Sequence, residues 1–83
     1  MEDWYLYILL CENNKFYTGI SKDIEARFVL HQKNKGAKFT QKNKPIKILY
    51  AEAFGSLSEA RKREVQIKKL SRKEKEELVS SGG

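Results

Sequence analysis

Trp4-Tyr5-Leu6-Tyr7-Ile8-Leu9-Leu10, then Cys11-Glu12-Asn13-Asn14-Lys15, then Phe16-Tyr17-Thr18-Gly19-Ile20 decide the fold. The first run is rich in aromatic, leucine and β-branched side chains and reads as a strand. Glu12 to Lys15 reads as a turn, because asparagine tolerates the left-handed conformation. The third run resumes as a strand, so the chain opens on a β-hairpin. Side chains alternate faces along a strand, so loop length decides whether Tyr7 and Tyr17 meet. A two-residue Asn13-Asn14 turn would pair Leu10 with Tyr17 and send Tyr7 to the opposite face. A three-residue loop, Glu12 to Asn14 with Asn14 left-handed, pairs Leu9 with Tyr17 and Tyr7 with Gly19. The second register is the expected one.

Ser21 is the expected N-cap of a helix running to about Gln32, with Asp23 and Glu25 suiting its positive end. Lys33 to Lys47 carries six lysines, one glycine, one proline and no acid, and reads as a solvated loop. Ile46 to Phe54 alternates imperfectly as a third strand, which Gly55 ends. Ser56 with Glu59 forms a capping box, opening a helix to about Leu70. Ser71 with Glu74 forms another, opening a last helix to about Val79. Residues 1–79 are expected to form one domain and residues 80–83 a flexible tail. The order ββαβαα predicts an α+β fold, a small three-stranded antiparallel sheet flanked by helices.

At 83 residues there is room for a single core. The 40% apolar content suits a globule rather than a disordered chain. Lys and Arg exceed Asp and Glu by 17 to 11, a net charge of +6 that favours a polyanionic partner. Cys11 is the one cysteine and His31 the one histidine, which excludes an internal disulfide and a four-ligand zinc site. The acidic start at Met1-Glu2-Asp3 lacks a signal peptide's basic region, and no stretch reaches membrane-spanning length. A cytoplasmic location with no membrane partner is expected.

Arg27, His31 and Glu64 break the apolar pattern. At about 100° per residue, Leu30, Arg27, His31, Ile24 and Phe28 share one arc of the first helix. Ile67, Ala60, Glu64 and Leu57 share an arc of the second. Charges turned toward a core are expensive, so such residues are paired with one another or kept for chemistry. Two phenols, a guanidinium, an imidazole and a carboxylate from these elements can surround one phosphate.

These residues resemble the GIY-YIG nuclease domain, and within it a small stand-alone bacterial group (UPF0213-like), over nearly the whole chain. Tyr5-Leu6-Tyr7 stands at the first motif and Tyr17-Thr18-Gly19 at the second. Ser21 to Phe28 looks like the capped helix with the family's essential arginine, here Arg27. His31 falls at the helix-end histidine, and Glu64, followed by Ile67-Lys68, at the metal-binding glutamate. Lys35-Gly36-Ala37-Lys38-Phe39-Thr40 and Leu70 to Glu76 are similar to the stand-alone group in particular. Two positions depart from the family pattern: Tyr5 replaces a glycine, and no asparagine follows Asn43. The resemblance implies metal-dependent cleavage of a phosphodiester backbone, usually DNA.

Such hydrolysis needs fixed positive charge where phosphate oxygens gain negative charge, which Arg27 can supply by forking onto two oxygens. Glu64 is the candidate ligand of Mg²⁺ or Mn²⁺, ions that bind through one or two carboxylates plus the substrate phosphate. Glu59 lies about 140° round the helix from Glu64 and should face solvent. The proton of the attacking water falls to Tyr7 on the family pattern, with Tyr17 or His31 receiving or relaying it. Gly19 opposite Tyr7 would leave room for substrate.

Lys33, Lys35, Lys38, Lys42 and Lys44, with Phe39 among them, have the pattern of a strand-tracking surface: charge for phosphates and a ring for stacking. The expected partner is DNA, with RNA second and no small-molecule cofactor. A domain this small can borrow its targeting from a protein partner. The competing reading is a nucleic-acid-binding module of the same fold with little or no cleavage. A purely structural Arg27–Glu64 ion pair is the plain alternative for those two residues.

Overall fold

The computed structural model describes residues 3–82; Met1, Glu2 and Gly83 lie outside it, and with them part of the leader and tail expectations. Strand β1 (Trp4–Cys11) is central, with β2 (Lys15–Ser21) and β3 (Pro45–Phe54) antiparallel on either side, order β2-β1-β3. A single 3-10 turn over Glu12–Asn14 joins β1 to β2, and Asn13 and Asn14 both have positive φ, 63° and 58°. The loop is therefore the three-residue one. Leu9 pairs with Tyr17 and Tyr7 with Gly19, the expected register.

Helices α1 (Ile24–Gln32), α2 (Lys38–Lys42), α3 (Leu57–Lys68) and α4 (Arg72–Gly82) complete the domain. The principal elements follow the order ββαβαα. The short α2 is an addition, and α4 runs past Val79 to Gly82, where Ser81 Oγ donates to the carbonyl of Leu78. Asp23 rather than Ser21 caps α1: its Oδ1 accepts from the Ala26 amide, while Ser21 Oγ bonds the backbone of Asp23. The Ser71–Glu74 capping box is reciprocal, Ser71 Oγ accepting from the Glu74 amide and Glu74 Oε1 from the Ser71 amide. No helix among the described residues is long and apolar enough to cross a membrane.

The alternation of β1 divides the core. Leu6 and Ile8 face α3 and α4, packing with Ile67, Leu70, Leu78 and Val79. Tyr7, Leu9 and Cys11 face the other way, against Tyr17 and, from α1, Ile24 and Phe28. Burial pushes the Cys11 thiol up to about 11, so it is a small apolar filler here. The sheet's first face is thus ordinary core, while its second carries a tyrosine into the interior beneath α1.

Candidate active site

Tyr7 is 1% exposed and His31 2%, and the two touch: Tyr7 Oη lies 3.1 Å from His31 Nε2. His31 Nδ1 lies 2.7 Å from Thr40 Oγ1, and the Thr40 hydroxyl is 2.9 Å from the Ala37 carbonyl. A carbonyl only accepts, so the Thr40 proton goes to Ala37. Thr40 Oγ1 must then accept from Nδ1–H, which leaves Nε2 bare to accept the Tyr7 proton. The network assigns one tautomer and one direction: Tyr7 O–H to His31, His31 N–H to Thr40, Thr40 O–H to Ala37. No buried side-chain polar atom among the described residues lacks a partner.

Two glycines make this possible. A β-carbon on Gly19 would stand 2.7 Å from Tyr7 Oη, and one on Gly36 would stand 2.1 Å from His31 Nδ1. The space expected beside Gly19 for substrate is filled by the Tyr7 phenol. Tyr17 closes the cluster, its ring centroid 5.1 Å from His31 and 6.4 Å from Tyr7. On its other side Tyr17 meets Phe39 in a near-parallel stack, 6.0 Å and 27°.

The electrostatics favour neutral forms. Burial pushes the Tyr7 phenol up to about 12; Tyr17 adds to the rise, while Arg27 opposes it through its charge and a side-chain hydrogen bond. Tyr17 is raised by burial, then lowered by Lys68 and raised by Glu64. His31 is lowered by burial and then by Arg27. Arg27 and Glu64 therefore both act on this cluster, from α1 and α3.

Residues 3–77 match the family model for the GIY-YIG catalytic domain. The chain belongs to the GIY-YIG family. A UPF0213 protein of Staphylococcus saprophyticus is 44% identical over 82 residues, 99% of this chain and 100% of that protein. One from Cupriavidus pinatubonensis is 47% identical over 72 residues, 87% of this chain and 80% of that protein. The solution structure of a UPF0213 protein from Bacillus halodurans matches with a TM-score of 0.63 at 41% identity, covering 98% of this chain and 87% of that one. A solution structure of an E. faecalis protein gives 0.66 at 36%, covering 98% and 86%. The GIY-YIG match points to a nuclease fold, whose substrate in general is nucleic acid.

Of the residues expected at the site, Tyr7, Tyr17 and His31 are in contact, Arg27 hydrogen-bonds Tyr7, and Glu64 acts on both tyrosines through its charge, but not all are buried as their helical arcs predict. Arg27 and Leu30 are exposed. The buried stripe of α1 is narrower, centred on Ile24, Phe28 and His31, and Arg27 stands about 60° off Ile24, at its rim. No ion pair joins Arg27 to Glu64 among the described residues; Glu64 pairs with Lys68, 3.2 Å away and one helical turn on. Glu59 is exposed, as expected.

A divalent ion fits this donor set in one way only. No group of three His, Cys, Asp or Glu side chains is gathered among the described residues, which does not suit an all-protein cage. Glu64 alone suits a water-rich hard cation whose remaining ligands are water and a phosphate oxygen. Its pairing with a half-exposed lysine is weak and easily exchanged.

The lysine run departs most from its reading as a solvated loop. Lys33, Lys35, Lys38, Lys42 and Lys44 are exposed, yet the backbone between them is pinned. Thr40 is fully buried, and Gly36 lies against the imidazole. Sequence reasoning missed both residues. Both stand in the run 35–40 that is similar to the stand-alone group, but a glycine and a hydroxyl within nine residues of a lone helix-end histidine are too weak a signal to give either residue a role against that ring.

Proposed function

We propose that this chain is a divalent-metal-dependent endonuclease that hydrolyses phosphodiester bonds in DNA. The observation that carries the reading is the oriented chain from Tyr7 through His31 to Thr40, beside Arg27 and Glu64. Water attacking phosphorus gives a proton to Tyr7 Oη as Tyr7 passes its own to His31 Nε2. The phenol never has to exist as a free phenolate, which a group held near 12 could not sustain at neutral pH. The imidazolium formed keeps its Nδ1–H on Thr40. Arg27, exposed at the rim, forks onto the phosphate oxygens as their charge grows. The products are a phosphomonoester and an alcohol, the departing oxygen taking its proton from solvent. Glu64 would hold Mg²⁺ or Mn²⁺ against the same phosphate, supplying Lewis-acid charge stabilisation. The exposed lysines of the 33–44 segment would grip backbone without reading sequence. A cytoplasmic setting accords with this substrate.

The test uses plasmid and oligonucleotide substrates with Mn²⁺, Mg²⁺ or EDTA, comparing wild type with Glu64→Ala and Tyr7→Phe. The expected result is metal-dependent cleavage reduced by about 10²–10⁴-fold in Tyr7→Phe, the usual worth of a positioned proton acceptor. Cleavage that survives in both variants would come from a contaminant. Salt-dependent binding with no cleavage by wild type would leave a binding module.

A further inference from the structure

Beside Tyr17, on the open side of edge strand β2, lies a hollow of about 270 Å³ lined by Lys15, Phe16, Phe39, Arg72 and Lys75. Its make-up is distinctive in three respects. No carboxylate lines it, and neither Lys15 nor Lys75 forms an ion pair among the described residues. Arg72 is fixed flat: its guanidinium carbon sits 3.7 Å above the Phe16 ring centroid, Nε donates to Glu76, and both terminal nitrogens donate to Asn14. Phe39 is 37% exposed although it is anchored on both sides in sequence and space. Its neighbour Thr40 is buried on His31, and one face of its ring lies on Tyr17.

A half-exposed ring held this firmly, sharing its hollow with two lysines that have no ion pair among the described residues, has the elements of a stacking platform. The size is below the roughly 300–1,000 Å³ of drug-sized ligand pockets, and the hollow joins the candidate site through Phe39, which stacks on Tyr17, the ring that in turn lies against His31. We propose that it is a nucleobase subsite. The base adjoining the attacked phosphate leaves its stack and lies on Phe39, extending the pile begun by Tyr17 and Phe39, and Lys15 and Lys75 hold the phosphate beyond it. This rests on the reading of the Tyr7–Arg27–Glu64 cluster as the place where the phosphodiester is attacked. A paired base inside a duplex cannot offer its face to the ring, so the subsite takes an unpaired nucleotide. Fixing that base sets which phosphate is presented to Tyr7 and Arg27.

The experiment separates base from backbone and binding from cleavage. Binding is read by fluorescence anisotropy in EDTA, with a fluorescent single-stranded oligonucleotide and with an abasic oligonucleotide of equal length. Phe39→Leu keeps the apolar bulk and removes the ring. It is expected to weaken binding of the intact strand about tenfold, within the range measured for aromatic stacking on one base, and to leave the abasic strand unchanged. Phe39→Trp keeps a platform, and its added emission, measured against wild type, is expected to be quenched by the intact strand alone. Equal weakening of both strands in Phe39→Leu, or no base-dependent quenching in Phe39→Trp, overturns the subsite. Because binding is scored without metal, a wild-type protein that never cleaves refutes the hydrolytic reading without touching this result. A protein that cleaves normally with no base-dependent effect at Phe39 refutes the subsite alone.

Discussion

Gly36 lies so close to His31 that a β-carbon at position 36 would stand 2.1 Å from the imidazole Nδ1. The loop after α1 is pressed onto the ring, and the ring is thereby pressed onto Tyr7. A segment that composition marks as solvent-facing is the back wall of the candidate site.

Gly36→Ala should therefore destabilise the fold by about 1–3 kcal/mol, the usual cost of forcing extra volume into a packed interior. The His31 ring and both neighbours of Gly36 are held, so relaxation is limited. Gly55→Ala is the control, since nothing lies within 4 Å of a β-carbon there, and its effect should stay within about 0.5 kcal/mol. Urea midpoints of the two variants decide the matter. Equal midpoints would mean that the loop yields freely and is not pinned to His31.

Thr40→Val removes the acceptor of Nδ1–H while keeping the shape. The buried N–H left without a partner costs about 1–3 kcal/mol, and the tautomer loses what selects it. Thr40→Ser restores the oxygen. His31 is the one histidine, so its imidazole nitrogen resonances need no assignment by elimination. Wild type and Thr40→Ser should show a protonated Nδ1 and a bare Nε2. Thr40→Val should show a mixture or the reverse, with cleavage lost in the same order. A Thr40→Val protein with the wild-type tautomer would remove threonine from the proton path.

The hairpin was readable in advance because its rule is arithmetic. Three residues between Cys11 and Lys15 leave Tyr7 and Tyr17 on one face, and no tertiary contact can alter that parity without a bulge. Element order followed from periodicity and from caps such as Ser56 and the reciprocal Ser71–Glu74 pair. The placement of Arg27 did not follow. A helical arc gives direction but not depth, and how far α1 sinks depends on the sheet beneath it. Thr40 and Gly36 were invisible for another reason: their roles exist only because the loop folds back on His31, a contact that no local pattern encodes. Asp23 displaced Ser21 as the cap because two residues only two positions apart could each start the helix, and the backbone chose the later one.

The acid side of the pH profile should report His31. Its folded-state pKa is lowered, chiefly by burial and then by Arg27, so folding favours the neutral ring. That contribution to stability is present in full above the ordinary histidine value of about 6.5. It is lost as pH falls through the lower folded-state value, because the unfolded chain takes up the proton first. Urea midpoints across roughly pH 5 to 8 should decline on the acid side, and His31→Gln should flatten that part of the curve. Cleavage should fall over the same acid range, since only neutral His31 can accept the Tyr7 proton. No separate rise should occur near pH 10, where an ordinary phenol titrates, because Tyr7 is held near 12. An activity that climbs through pH 10 would instead make free Tyr7 phenolate the base.

The exposed lysines yield the last expectation, and it is one of slope rather than affinity. Each phosphate contact that releases a counterion contributes about 0.9 to the salt dependence on duplex DNA and about 0.7 on a single strand. Lys38 and Lys42 are exposed on α2, whose Thr40 fixes the helix to His31, so their flexible stems start from a backbone docked beside the site. Replacing both with glutamine should lower the slope of log binding against log salt by about 1.4 on a single strand if each meets a phosphate. The His31 tautomer, read as above, should stay unchanged and so certify that α2 remains docked. Lys62 on α3 lines a separate hollow with Leu57, Arg61 and Val65, and Lys62→Gln should leave the slope alone. If Lys62→Gln lowers the slope as much as the α2 pair, the attraction is diffuse net charge of +6, and α2 holds no strand.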